Sequence, residues 1–232
     1  MRAKLSFVIA VVLAILGGGV GRAVATVDVP VEKTTLANGL TVLVHEDRDL
    51  PVVSLYIFFK TGSRNERPGI TGISHLFEHM MFNGGENTVG KFDDIIESNG
   101  GSTNGYTTRD FTVYLESFPP PALERVLWLE ADRMRALAIT PKNLEQERGI
   151  VKEERRLRTD DDPEGTIYEQ IYLTAYNAST YRWGPIGFMA DIDAITLDDA
   201  KSYFRTHYAP NNAVVVLAGA ITPPEGFALV QR

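Results

Sequence analysis

Two histidines four residues apart, with a glutamate between them, form the segment His75-Leu76-Phe77-Glu78-His79. On a helix, positions i and i+4 share one face, so both imidazoles reach a single ion. Glu78 follows His75 by three residues and adjoins His79, which places its carboxylate beside that ion without binding it. This is the H-x-x-E-H arrangement, inverted relative to H-E-x-x-H. Neutral imidazole suits zinc, and a catalytic zinc keeps one position open for water and acidifies it. A neighbouring carboxylate then takes the water's proton as it attacks a carbonyl carbon. A pair of buried structural histidines has no need of Glu78, and chance gives this spacing in roughly one chain of this composition in a few hundred.

Two histidines make a weak site, so a third ligand is required. The chain has no cysteine, which excludes thiolate ligands, cysteine nucleophiles and disulfides. The candidates are the acids of a charged helical stretch: Glu145, Glu147, Glu153 and Glu154. Glu147 and Glu154 are seven residues apart and so share a face two turns from each other. Spacing alone leaves Glu153 and Glu154 as alternatives, and most of this stretch reads as a solvated charged face. His45, at a strand end, and His207, near a helix C-terminus where positive charge is favoured, read as structural or surface residues. Gly90-Lys91 lacks the spacing and hydroxyl residue of a phosphate loop, and no serine nucleophile elbow is present.

The elements that must carry these residues follow from pattern. Lys33–Leu36 and Leu40–His45 flank Asn38-Gly39, a two-residue hairpin signal. Val52–Lys60 is a third strand, and a helix from about Ile70 to Phe82 holds the histidines. A second helix from about Val89 to Ser98 stops at Asn99-Gly100-Gly101. Strands follow near Thr103–Thr107 and Asp110–Ser117. The run Pro119-Pro120-Pro121 opens a helix with an apolar stripe of Leu123, Val126, Leu127 and Met134. Thr140-Pro141 starts the charged helix. Another helix spans about Glu164 to Tyr176. Thr196-Leu197-Asp198-Asp199 forms a capping box for a helix to Tyr208, and Val214–Ala218 is the last strand. This order predicts an α+β fold with a mainly antiparallel sheet packed against helices.

The 232 residues are 44% hydrophobic and 23% charged, an ordinary globular composition without repeats. Residues 1–25 stand apart. Arg2 and Lys4 precede an apolar run from Leu5 to Ile15, and Ala23-Val24-Ala25 fits a cleavage site, so this segment reads as a secretory signal peptide. Its apolar run is short for a membrane span. Removing Arg2, Lys4 and Arg22 lowers the 23 basic residues to 20 against 30 acids, so the net charge moves from −7 to −10. Such an acidic chain argues against nucleic acid as a partner. The expected location is periplasmic or secreted, with no stable membrane insertion after cleavage.

Thr71-Gly72-Ile73-Ser74-His75-Leu76-Phe77-Glu78-His79-Met80 resembles the active-site helix of the pitrilysin family of zinc peptidases. Gly100–Thr107 with Asp110–Tyr114 is similar to the family's substrate-side strands, and Glu147–Glu154 to its second site helix. Tyr208-Ala209-Pro210-Asn211-Asn212 with Val214–Gly219 resembles the segment closing the family's first αβ unit. The resemblance covers about residues 30–225. It implies the metallohydrolase fold shared by LuxS and the mitochondrial processing peptidase, with one zinc held by His75, His79 and Glu154. It further implies Glu78 as general base, Glu147 as a supporting acid behind the ligands, and Asn104 on the strand beside which a peptide substrate lies. The expected organisation is a signal peptide (1–25) and an amino-terminal zinc peptidase domain (26–232). The expected activity is endopeptidase cleavage of peptides or small unfolded proteins. Family members are longer, with a second related half that closes over the first. The chain is thus expected to be either a fragment or a unit completed by a carboxyl-terminal half or partner subunit. The other function class is a non-catalytic peptide-binding partner, a class whose members usually lose the site residues that this chain keeps.

Overall fold

In the computed structural model, which describes residues 29–88 and 90–232, the alternating strands build one six-stranded sheet. β1 (Glu32–Thr35) and β2 (Thr41–Glu46) form the expected antiparallel hairpin. Its connection differs from a two-residue turn: Gly39 N donates to Leu36 O (2.9 Å) and Leu36 N to Leu40 O (2.8 Å). Gly39 alone has a positive φ, of 87°, so the turn runs from Leu36 to Gly39 and ends in a glycine bulge. The leader at residues 1–25 and Val89, the expected start of the second helix, lie outside the described residues.

β3 (Val53–Phe59) leads into α1 (Ile73–Met81), which carries the H-x-x-E-H segment. Then come α2 (Phe92–Ser98), β4 (Ser102–Thr107), β5 (Thr112–Phe118) and α3 (Leu123–Arg135). α4 (Pro141–Arg155) continues into one π-helical turn over Arg156–Asp160. α5 (Pro163–Ala175), α6 (Met189–Ala194) and α7 (Leu197–His207) precede β6 (Ala213–Gly219) and α8 (Pro223–Gln231). The short α6 had no counterpart among the expected elements. Thr140, Thr196 and Thr222 cap α4, α7 and α8 by accepting a backbone amide three residues on.

The strand order is β1-β2-β6-β3-β5-β4. β6 inserts between β2, to which it is parallel, and β3, to which it is antiparallel, and the remaining pairs are antiparallel. The α+β expectation with a mainly antiparallel sheet therefore holds. Alternation along β3 buries Val53, Leu55, Ile57 and Phe59 completely on one face while Ser54, Tyr56 and Phe58 stay partly exposed on the other. The buried face meets Ile73, Leu76, Phe77 and Met80 of α1, so the histidine helix lies on the sheet with its opposite side free for chemistry. Tyr114 of β5 fastens this contact by donating to Phe77 O at 3.2 Å. β4 is the sheet's edge and runs beside α1.

A charged cluster sits inside the core. Arg133 of α3 is fully buried and pairs with Glu130 and with Glu116 of β5, the latter at 3.2 Å. Its guanidinium lies 3.8 Å from the Phe92 ring centre and 4.7 Å from that of Tyr114. Burial, then the Glu130 charge, pushes the Glu116 carboxyl well above its ordinary range. Arg133→Met strands two buried acids, and is expected to lower the unfolding free energy by about 3–5 kcal/mol in urea denaturation. A loss within 1 kcal/mol would show the cluster to be self-sufficient without the arginine.

Candidate metal centre

α1 and α4 pack side by side, and their facing side chains meet in one cleft. The Nε2 atoms of His75 and His79 point at the same oxygen, Glu154 Oε2, from 3.6 and 3.2 Å. One ligand atom from each of the three residues lies within 4.8 Å of the other two. The imidazole rings stand edge to face with centroids 4.8 Å apart. Glu147, one face-repeat before Glu154, lies behind His79: its Oε2 is 3.7 Å from His79 Nδ1, and its Oε1 accepts from Asn83 Nδ2 at 3.1 Å. Glu78 accepts from Thr107 Oγ1 of β4 at 2.5 Å. Asn104, three residues earlier on β4, lines the cleft with Glu78 and His79.

The sequence left four acids open, and the fold separates them. Glu154 reaches the histidines and Glu147 supports one of them from behind. Glu145 and Glu153 stay in solvent, paired with Arg148 and Arg156 on their own helix. The expectation of a largely solvated face on α4 needs correcting for its arginines. Arg148 is buried and donates to the carbonyls of Ile192 (2.5 Å), Asp193 and Ile195 (both 2.7 Å), which terminates α6. Arg155 is buried and pairs with Glu169 of α5 (2.9 Å) and Asp160 (3.1 Å). These two side chains clamp α4 in rotation, and Glu154 projects into the cleft as a result. Arg158, in the π-helical turn, holds Glu154 Oε1 at 3.0 Å and leaves Oε2 for the histidines. Arg148, Arg155, Arg158 and Thr107 were not singled out in the sequence. Their signal was only a basic residue inside an acidic helix and a threonine on a β-rich strand, neither of which is specific.

The remaining histidines stand apart from this group. His45 Nδ1 meets Pro30 O at 2.7 Å on the surface. His207 packs on the Tyr203 ring at 4.4 Å, and burial lowers its pKa, the reverse of the stabilised positive charge expected at a helix C-terminus.

Electrostatics in the cleft favour one shared positive charge. Burial, then the neighbouring His79 charge, lowers His75 to about 4. Burial also opposes a charge on His79, but contact with Glu147 and Glu154 outweighs it and raises that ring to about 9. Contact with His79 in turn holds Glu154 below the usual carboxylate range. Positive charge is therefore favoured on His79, between the two carboxylates. Two imidazole nitrogens and one carboxylate oxygen also fit a divalent cation of borderline softness. His75 Nδ1 is buried and has no hydrogen-bond partner among the described residues, whereas His79 has Glu147 on that side. Burial raises the pKa of Glu78, offset in part by its Thr107 hydrogen bond.

The cleft extends to either side of this centre. A lobe of about 700 Å³ runs past Tyr106, Arg109 and Tyr168, and one of about 320 Å³ past Phe82, Lys91 and Ile150. Glu78, His79, Asn104 and Gly105 border both.

This fold is that of a metallopeptidase family. Residues 41–183 match the family model described as Insulinase (Peptidase family M16), and residues 194–232 match Peptidase M16 inactive domain. The chain belongs to this family. It is 38% identical over 203 residues to zinc protease PqqE of Helicobacter pylori, covering 87% of this chain and 46% of that protein. The crystal structure of a protease from Helicobacter pylori superposes with a TM-score of 0.85 at 37% identity, covering 88% of this chain and 49% of the other. The periplasmic protease PqqL from Escherichia coli superposes at 0.80 with 26% identity, covering 89% of this chain and 24% of that one. The chain therefore spans about half the length, or less, of these relatives.

Because the Thr107 hydroxyl stabilises the ionised form of Glu78, Thr107→Val is expected to raise the Glu78 pKa and Thr107→Ser to leave it near the wild-type value. Carboxyl-carbon NMR titration of the metal-free protein reads this directly. An unchanged or lowered Glu78 pKa in Thr107→Val would contradict the assignment.

Proposed function

We propose that this chain is the metal-binding unit of an exported zinc endopeptidase that cleaves peptides or small unfolded proteins, with His75, His79 and Glu154 as ligands of one zinc. The observation that carries this is the convergence of both Nε2 atoms on Glu154 Oε2, from helices that approach only in the folded chain. The printed names of the relatives, zinc protease and periplasmic protease, support the metal and the exported location. Among the described residues no helix is long and apolar enough to cross a membrane. The leader at residues 1–25 and the mature domain at 26–232 belong to the same proposal.

Zinc, when bound, supplies Lewis-acid polarisation of the scissile carbonyl and an acidified water. Glu78 takes the water's proton and delivers it to the leaving amine, a task helped by a pKa above the usual carboxylate value. Thr107 holds Glu78 on the substrate side of the cleft. Glu147, 3.7 Å from the outer nitrogen of His79, favours a proton there and so the tautomer that presents Nε2. β4 pairs only with β5 among the described residues, so its free edge, with Asn104, accepts an extended peptide by main-chain hydrogen bonding. With under half the length of the curated relative present, a second half or partner subunit of the same family completes the cleft. A peptide-binding partner without catalysis is the competing reading, and retention of Glu78 beside the ligand triad argues against it.

The purified protein is expected to bind about one zinc, and Glu154→Gln to lose stoichiometric binding. Glu78→Gln is expected to keep the metal and to lose about 10²–10⁴-fold in peptide cleavage when the missing half is supplied. Undiminished cleavage by Glu78→Gln would refute its role, and a metal-free wild-type protein would favour the binding partner.

A further inference from the structure

α1 begins without the usual means of satisfying its first amides. Its N-cap is Gly72, no side chain caps it locally, and its first turn holds no acid. Gly72 has φ 90°, and a Cβ there would lie 2.6 Å from Ile186 O, so the position admits no capping residue. The missing acceptor comes from six residues upstream. Glu66 Oε2 accepts from Gly72 N at 3.0 Å, and its Oε1 accepts from Ser74 N at 2.9 Å and Ser74 Oγ at 2.6 Å. Trp183 Nε1 donates to Oε2 at 3.0 Å from the other side. Ser74 Oγ continues to Tyr203 Oη (2.8 Å), which reaches Thr61 Oγ1 (3.0 Å). Glu66 is 4% exposed, and all four groups that face it are donors.

We propose that Glu66 is a positioning residue for the metal site: it replaces the absent N-cap of α1 and so fixes the turn from which His75 enters the cleft. The proposal rests on the reading of His75 as a zinc ligand. Ser74, whose amide and hydroxyl Glu66 binds, is the residue immediately before His75, and among the described residues nothing hydrogen-bonds the outer nitrogen of the His75 ring, whereas Glu147 lies 3.7 Å from that of His79. Backbone anchorage by Glu66 therefore substitutes for the ring anchorage that His75 lacks. A carboxylate at a helix N-terminus also complements the helix dipole. Burial raises the Glu66 pKa to about 7 against the lowering effect of the Ser74, Gly72 and Trp183 hydrogen bonds.

Glu66→Gln keeps the size of the side chain but sets an amide donor against one pair of donors. The expected result is a folded protein whose zinc affinity, measured by competition with a chelator, falls about 10- to 100-fold. In the metal-free state, exchange of the Gly72 and Ser74 amides is expected to quicken by at least about tenfold. Emission from Trp183, which is buried while Trp128 is exposed, is expected to shift. Wild-type zinc affinity in a Glu66→Gln protein that has merely lost thermal stability overturns the proposal, as do unchanged amide exchange rates. The exchange measurement needs no metal, so a wild-type chain that binds no zinc defeats the ligand reading while the cap remains separately tested. If Glu66→Gln does not fold, Ser74→Ala and Trp183→Phe each remove one donor. Weaker zinc binding in both supports the proposal, and wild-type affinity in both overturns it.

Discussion

Two imidazoles and two carboxylates crowd into a cleft where no arrangement of neutral groups satisfies them. The Nε2 atoms of His75 and His79 converge on Glu154 Oε2, while Glu147 faces His79 from behind. Burial disfavours a charge on His75, while contact with Glu147 and Glu154 favours one on His79, so the positive charge is favoured where the two helices meet. A divalent ion satisfies the same donors with more charge and directed bonds. The packing of α1 on α4, the π-helical turn and the arginine clamps all act on one quantity, the placement of Glu154 relative to the two rings.

That placement is bought far from the cleft. Arg148 closes α6 and Arg155 grips α5, so two connections downstream of α4 decide how it is rotated. The sheet contributes differently. It buries one face of α1 and leaves β4 as an edge alongside the other, so the histidine helix and the edge strand share a border at Glu78 and Thr107, as the proposed metal and peptide sites require. The cleft continues as a lobe on either side of that border.

The sequence made local structure legible wherever one residue type answers one backbone need. Thr140-Pro141, Thr196 with Asp199, and the period-two pattern of Val53–Phe59 led to elements found within a few residues of their expected ends. The hairpin at Asn38-Gly39 was found in place but with a longer turn, because only Gly39 adopts the left-handed conformation. His75, Glu78 and His79 could be placed together because helix geometry alone relates them. The choice among Glu145, Glu147, Glu153 and Glu154 was not legible from spacing, since it depends on how α4 is rotated against α1. That rotation is fixed by buried arginines whose partners include Glu169 and Ile195, 14 and 47 residues away. Glu66 was illegible for the same reason: a remote acid replaces the local cap that sequence patterns describe.

X-ray absorption at the zinc edge of the loaded protein tests the central claim most directly. Two imidazole nitrogens and low-Z oxygen ligands at about 2.0–2.2 Å, with one imidazole lost in His75→Ala and one in His79→Ala, are the result expected. A spectrum with oxygen ligands alone, or one unchanged by both substitutions, would contradict it.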